Sequence, residues 1–282
     1  MTRLRGSRGM TLVECAIALV VSSVLLAAVY AALLAGWRVA RAQAALIGVR
    51  QNVRAAAAAL RSELAGESFG AGDLIRLSDS ALVLRATRGL GFVCATPAAT
   101  SVVLDDSLFS SIRAVDPARD YAAVFREGDT LTSADDRWFI AGISSVRRGA
   151  CANAAAGTLL VLTGLAAGDL AGVVPGGPVR TFEILEYRRY VDAAGEGWLG
   201  VRGPAPGGGW SASSPVAGPL RRRDGVVFRY MDGGGHPIAA PDSVALVEVA
   251  IHGLDPRTFT APGRGALPLA DSLTIRIAIG GP

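Results

Sequence analysis

Lysine is missing altogether: all 28 basic residues of the 282-residue chain are arginine, and they alone produce its net charge of +4. The arginines are scattered along the whole length, and no basic block interleaves with aromatics. That pattern describes a solvated surface, so no direct contact with nucleic acid is inferred. Histidine is nearly absent, with only His236 and His252. His236 precedes Pro237 in a turn-like stretch, and His252 falls where a strand pattern ends. Both read as surface residues rather than general bases. No GxSxG elbow, HExxH pair, Walker loop or dinucleotide fingerprint occurs. No catalytic residue is nominated, no cofactor is expected, and a membrane-anchored hydrolase finds no chemical support.

Cysteine is scarce too. Of the three, Cys15 lies inside an apolar run, which leaves Cys94 and Cys151 as the remaining pair. Zinc would need further ligands from the same two histidines. If this part of the chain lies outside the cytoplasm, a Cys94–Cys151 disulfide is the natural use of the pair.

Charge is absent from Cys15 to Gly36, and proline from residue 10 to residue 65. The apolar run from Met10 to Leu34 is about 25 residues long, enough at about 1.5 Å per residue to cross the hydrocarbon core. A secretory signal peptide has a shorter apolar centre, of about 7–15 residues, and a cleavage site after it. Here the run continues into "RVARAQAALIGVRQNVRAAAAALRSELAG", rich in the strong helix formers alanine, leucine, arginine and glutamine. Val39, Leu46, Val53 and Leu60 recur at heptad spacing, with Ala42, Val49, Ala56 and Leu64 beside them. The spacing predicts an amphipathic continuation, ending near Gly66, of a single helix of about 55 residues. The leader carries Arg3, Arg5 and Arg8, so the positive-inside rule keeps it cytoplasmic and sends the C-terminal part across, although Arg38 and Arg41 weaken the bias.

Glu14 stands near the start of the run, with no basic residue between it and Arg38. A membrane-embedded charge costs a few kcal/mol and is functional by default, the plain alternative being a side chain that snorkels to the headgroups. Its surroundings favour function. Gly9 followed by "MTLVE", behind a basic leader and ahead of an uninterrupted apolar run, resembles the type IV prepilin motif. The resemblance implies that a prepilin peptidase cuts between Gly9 and Met10, and that Met10 is then N-methylated. It implies that Glu14, fifth in the mature chain, meets the cationic amine of a neighbouring subunit and fixes the register between helices in a filament. The family usually has phenylalanine where this chain has Met10.

After Gly72 the sequence changes to short β-branched and aromatic runs broken by glycine, proline and aspartate. "LIRLSDSALVLRAT" reads as two strands around a turn, and further strand patterns continue to "SLTIRIAIG". Few helical patterns intervene. The expected class is α+β: a long N-terminal helix, transmembrane in its first half, followed by a mainly antiparallel sheet domain. The expected division is a leader at 1–9, a helix at 10–65 with a membrane segment at about 10–36, and an extracytoplasmic domain at 66–282. One domain is expected, with the glycine-rich Pro204–Gly209 loop as a possible internal divide.

This layout is similar to the J-type pseudopilins of type II secretion and to W-type minor pilins. That likeness implies a non-enzymatic subunit of the inner membrane that joins other pilins near a filament tip. A minor component of a DNA-uptake pilus belongs to the same class. A membrane-anchored carbohydrate- or ligand-binding β module is the reading from another class; Trp138, Trp198 and Trp210 could face its partner, but they read first as ordinary core or rim packing. Some pseudopilins bind calcium, and the acidic pairs Asp105–Asp106 and Asp135–Asp136 offer oxygen ligands. Neither pair shows a recognisable ligand spacing, so both read as turn acids and no metal is assigned.

Overall fold

The computed structural model describes residues 11–65, 72–128, 136–260 and 266–280. Helix α1 (Leu12–Leu64) is continuous over 53 residues. It is followed by strands β1 (Leu74–Leu77), β2 (Ala81–Ala98), β3 (Ser101–Asp105), β4 (Ser110–Ser111) and β5 (Asp120–Arg126). Then come β6 (Arg137–Ala150), β7 (Ala156–Thr163), β8 (Pro178–Val191) and β9 (Gly197–Arg202). The last are β10 (Ser214–Leu220), β11 (Val226–Met231), β12 (Leu246–Thr260) and β13 (Ala266–Ala278). Among the described residues every strand pairing is antiparallel, and the class is α+β as expected.

The helix has two environments. From Leu12 to Ala44 none of its residues is buried. From Ala45 onward Val49, Val53, Ala56, Ala57, Leu60 and Leu64 turn into the sheet domain. The stripe therefore begins later than the heptad reading places it: Val39 is 56% exposed and Leu46 only half-buried. The buried residues advance by three or four, which follows the natural 3.6-residue turn rather than a fixed seven. Leu60 and Leu64 are fully buried, a burial that stabilises by about 2 kcal/mol for each leucine.

At its lower end the helix lies on β12 and β13. A Cβ added to Gly253 would stand 2.7 Å from methyl groups of both Val49 and Val53, so glycine permits this close approach. At its upper end Glu63 reaches β2 and β8. The helix thus crosses the sheet from its β12–β13 side to its β2–β8 side.

Two apolar cores result. The first packs α1 against Leu82, Leu84, Tyr187, Leu199, Phe228, Val247 and their neighbours. The second contains Val93, Val102, Leu104, Ala122, Val124, Ile143, Leu160 and Val179. Around this second core the pairings run β2–β3–β7–β6–β5–β8 and return from β8 to β2, closing a six-stranded barrel. Closure leaves the barrel no open edge. The long strands β2 and β8 serve both cores. Their ladder slips between Thr87 and Gly89, making Arg88 the extra residue of a β-bulge. The internal divide falls at this bulge. The Pro204–Gly209 segment instead belongs to the β9–β10 connection, where Pro204 bridges to Trp210.

The disulfide joins Cys94 in β2 to Cys151 just after β6, with Cα atoms 5.1 Å apart. It ties a wall strand of the barrel to the β6–β7 turn.

Candidate processing and assembly site

The amino-terminal end of α1 is built by a local hydrogen-bond cycle. Thr11 is extended, at φ −79° and ψ 153°, and caps the helix. Its hydroxyl accepts from the backbone N–H of Glu14 at 3.3 Å. In return Glu14 Oε2 accepts from the Thr11 backbone N–H at 2.9 Å and from its hydroxyl at 3.1 Å. This is a capping box, which satisfies amides left open at a helix start. The reading of Glu14 as a bare carboxylate overlooks it, although the Thr-x-x-Glu spacing signals it directly.

Beyond the cap the surface is continuously apolar and outward-facing, from Leu12 through Leu19, Val24, Leu26, Val29 and Leu33 to Trp37. It runs for about 39 Å, more than the roughly 30 Å of a hydrocarbon core. Cys15 is exposed and free. Gly9 and Met10 lie outside the described residues.

At the far end of the helix a buried charged cluster fastens α1 to the sheet and the barrel. The Arg88 guanidinium donates to Glu63 on α1 at 3.1 Å and to Glu183 on β8 at 2.5 Å. Arg113 extends the cluster, donating to Asp120 on β5 at 2.6 Å and lying 3.3 Å from Glu183. Tyr187 lies beside Glu63, and burial, with the Glu63 charge behind it, pushes its hydroxyl pKa above the usual phenol range. The bulge is what aims Arg88 into this cluster. Sequence reading missed it, because the partners lie far apart along the chain.

The remaining candidate groups have structural occupations. Asp105 accepts from the Ser107 hydroxyl and backbone N–H at 2.6 and 2.9 Å, which holds its carboxyl below the usual range. Asp106 accepts from Thr158 at 2.7 Å. Asp136 accepts from the Gly128 backbone N–H, and Asp135 lies outside the described residues. His236 stands on the surface 3.4 Å from Asp232, and His252 lies in β12 opposite Ser272. The Trp198 indole donates to Asp192 at 2.9 Å. Trp210 lies under the guanidinium groups of Arg76 and Arg202, and Trp138 under that of Arg180.

Residues 4–30 match the prokaryotic N-terminal methylation motif. The matched segment holds the end of the basic leader, the Gly9–Met10 junction, the capping box and the first turns of the apolar helix. The match supports the type IV prepilin-like superfamily, whose members are generally structural. No curated protein and no solved structure matches the chain.

Proposed function

We propose that the chain is a non-enzymatic pilin-like subunit, a minor pilin or pseudopilin, processed at the inner membrane and added near the tip of a filament. The observation that carries this reading is the methylation motif over residues 4–30, set on a helix whose first half is exposed and, from Cys15 to Trp37, free of charge. In this reading residues 1–9 are the leader. Prepilin peptidase cuts between Gly9 and Met10, and the new Met10 amine is methylated. Residues from Met10 to about Gly36 span the bilayer once, and residues 66–282 fold outside the cytoplasm. A domain placed outside the cytoplasm suits the Cys94–Cys151 disulfide, which persists in oxidising compartments.

The mature amine is cationic near neutral pH. Glu14 lies one helical turn deeper, on nearly the same face. Before assembly the capping box engages its carboxylate within the same chain. In the filament the carboxylate meets the amine of an adjacent subunit, and the pairing sets the stagger between helices. Neighbouring pilins are thus the partners of the apolar half, while the barrel, rooted where α1 ends, projects away from the membrane.

Amino-terminal sequencing and intact mass of the membrane-extracted protein test this. The expected mature chain begins at Met10 and carries one added methyl group. A chain beginning beyond residue 30 would identify an ordinary signal peptide and remove the filament reading.

A further inference from the structure

The strand that ends the described chain has one side unused. β13 pairs with β12 and with no other strand among the described residues. From Leu246↔Ala278 to Leu254↔Ala270 that ladder runs without a register shift. Alternate N–H and C=O groups of β13 therefore point away from the sheet along a straight edge. Among the described residues the edges of β1, β4 and β11 are short or occupied. β1 has four residues and β4 two. In β11 the Phe228 N–H donates to the Asp79 carbonyl, and the Tyr230 carbonyl accepts from the Ile238 N–H.

Natural proteins guard long edges with proline, bulges, short length, charged side chains or a covering element. Between Ala270 and Ala278 β13 has no proline and no bulge. Its two charged residues there are both engaged, Asp271 with Arg50 at 3.3 Å and Arg276 with Glu248 at 2.8 Å.

The side chains along this edge state what would fit beside it. On the outer face a row crosses three strands, Arg229 on β11, Glu248 on β12 and Arg276 on β13. Glu248 accepts from both arginines, at 3.1 and 2.8 Å. The alternation of sign stops at Arg276, whose side chain remains 68% exposed. On the helix-facing side Ile275 and Ile277 are buried, opposite Val249 and Val247. The sequence Val247–Glu248–Val249 already satisfies β13 on its closed side.

We propose that the open edge of β13 is a strand-addition site for an extended segment of another polypeptide, one that sets an acidic residue opposite Arg276 and aliphatic residues opposite Ile275 and Ile277. Main-chain pairing supplies attachment, and the acid continues the alternating row and selects the segment. The site requires no filament; any chain presenting this pattern outside the cytoplasm fits it.

The test uses the full-length protein in detergent micelles and a fluorescent synthetic peptide with the sequence of residues 245–252, Ala-Leu-Val-Glu-Val-Ala-Ile-His. Its anisotropy should rise saturably with protein. Replacing the peptide's glutamate by lysine should weaken binding about fivefold or more, since like charges then face each other across the strands. Arg276→Glu should reverse that preference. If this variant fails to fold, as circular dichroism would show, the peptide series on the unaltered protein decides. Two further peptides carry N-methyl groups on alternate amides, in the two possible frames. Only one frame should lose binding, because only one row of amides faces β13. Absence of saturable binding, equal affinity for the glutamate and lysine peptides, or equal behaviour of the two frames would overturn the proposal.

Discussion

Glu63, in the last turn of the helix, lies 3.1 Å from Arg88, the extra residue of the bulge in β2. One ion pair thus joins the end of α1 to the point where the sheet bends into the barrel. The Arg88 side chain is 9% exposed and that of Glu63 20%. Removing one partner of such a pair leaves the other charge poorly solvated.

Arg88→Ala is expected to destabilise the domain by about 3 kcal/mol, because Glu63 and Glu183 both lose their buried partner. Glu63→Ala should cost less, since Arg88 retains Glu183. The double variant should cost less than the sum of the singles, as contacting residues do. Chemical denaturation of the four proteins checks this, and strict additivity would show that the pair carries no coupling.

Glu14→Ala should insert into the membrane at least as well as the native chain, because a costly charge is removed. Cleavage after Gly9 should persist, since the leader and apolar run are intact. Recovery in sheared filaments should fall, leaving the variant in the membrane pool. Glu14→Gln keeps the shape without the charge and should also be impaired. Normal incorporation of both variants would leave Glu14 with its helix-capping role alone.

The Cys94–Cys151 disulfide closes a loop with a sequence separation of 57. The chain-entropy account gives it about 4 kcal/mol of stabilisation. Thiol labelling of the unreduced, detergent-extracted protein should mark Cys15 alone. After unfolding and reduction all three cysteines should react. Labelling of Cys94 and Cys151 without reduction would contradict the pairing.

Two tyrosines set an alkaline limit. Burial raises the pKa of Tyr187 and of Tyr230, whose hydroxyl donates to the Ser78 carbonyl at 2.9 Å. The fold favours their neutral forms, so this contribution is fully present below the ordinary phenol value of about 10. It is lost as pH rises above that value toward the raised ones. Phenolate absorbance should therefore show these two tyrosines ionising only with unfolding. Tyr187→Phe and Tyr230→Phe should each remove one unit from the amplitude of that late step.

The amino-terminal helix was legible because its signals are local. The match to residues 4–30 rests on one short segment, and the helix follows from an unbroken stretch of apolar and helix-forming residues. The capping box was missed although its Thr-x-x-Glu signal is equally local. The antiparallel sheet was legible as a class, since the short β-branched and aromatic runs after Gly72 report strands with few helices between them. Which strand meets which was not, because pairings such as Ala86↔Glu183 join residues far apart in the chain. The same holds for the barrel and for Arg88, whose partners come from α1 and β8. The late start of the buried stripe escaped for another reason: alanine serves both an exposed and a buried helix face, so composition does not mark where packing begins.

Ala86 and Glu183 face each other across the β2–β8 ladder, and the chain between them makes nearly all of the barrel. To the ladder on the other side of that pair, the barrel is a single hairpin connection. Loop-closure entropy grows only slowly with length, so lengthening, shortening or exchanging the part of the connection that lies beyond Arg88 costs the helix-bearing sheet little, as long as the Arg88–Glu63 pair is kept. The protein is therefore separable along a line fixed by one residue pair. A scaffold holds the membrane helix, and a replaceable head can change its surface without disturbing the anchor.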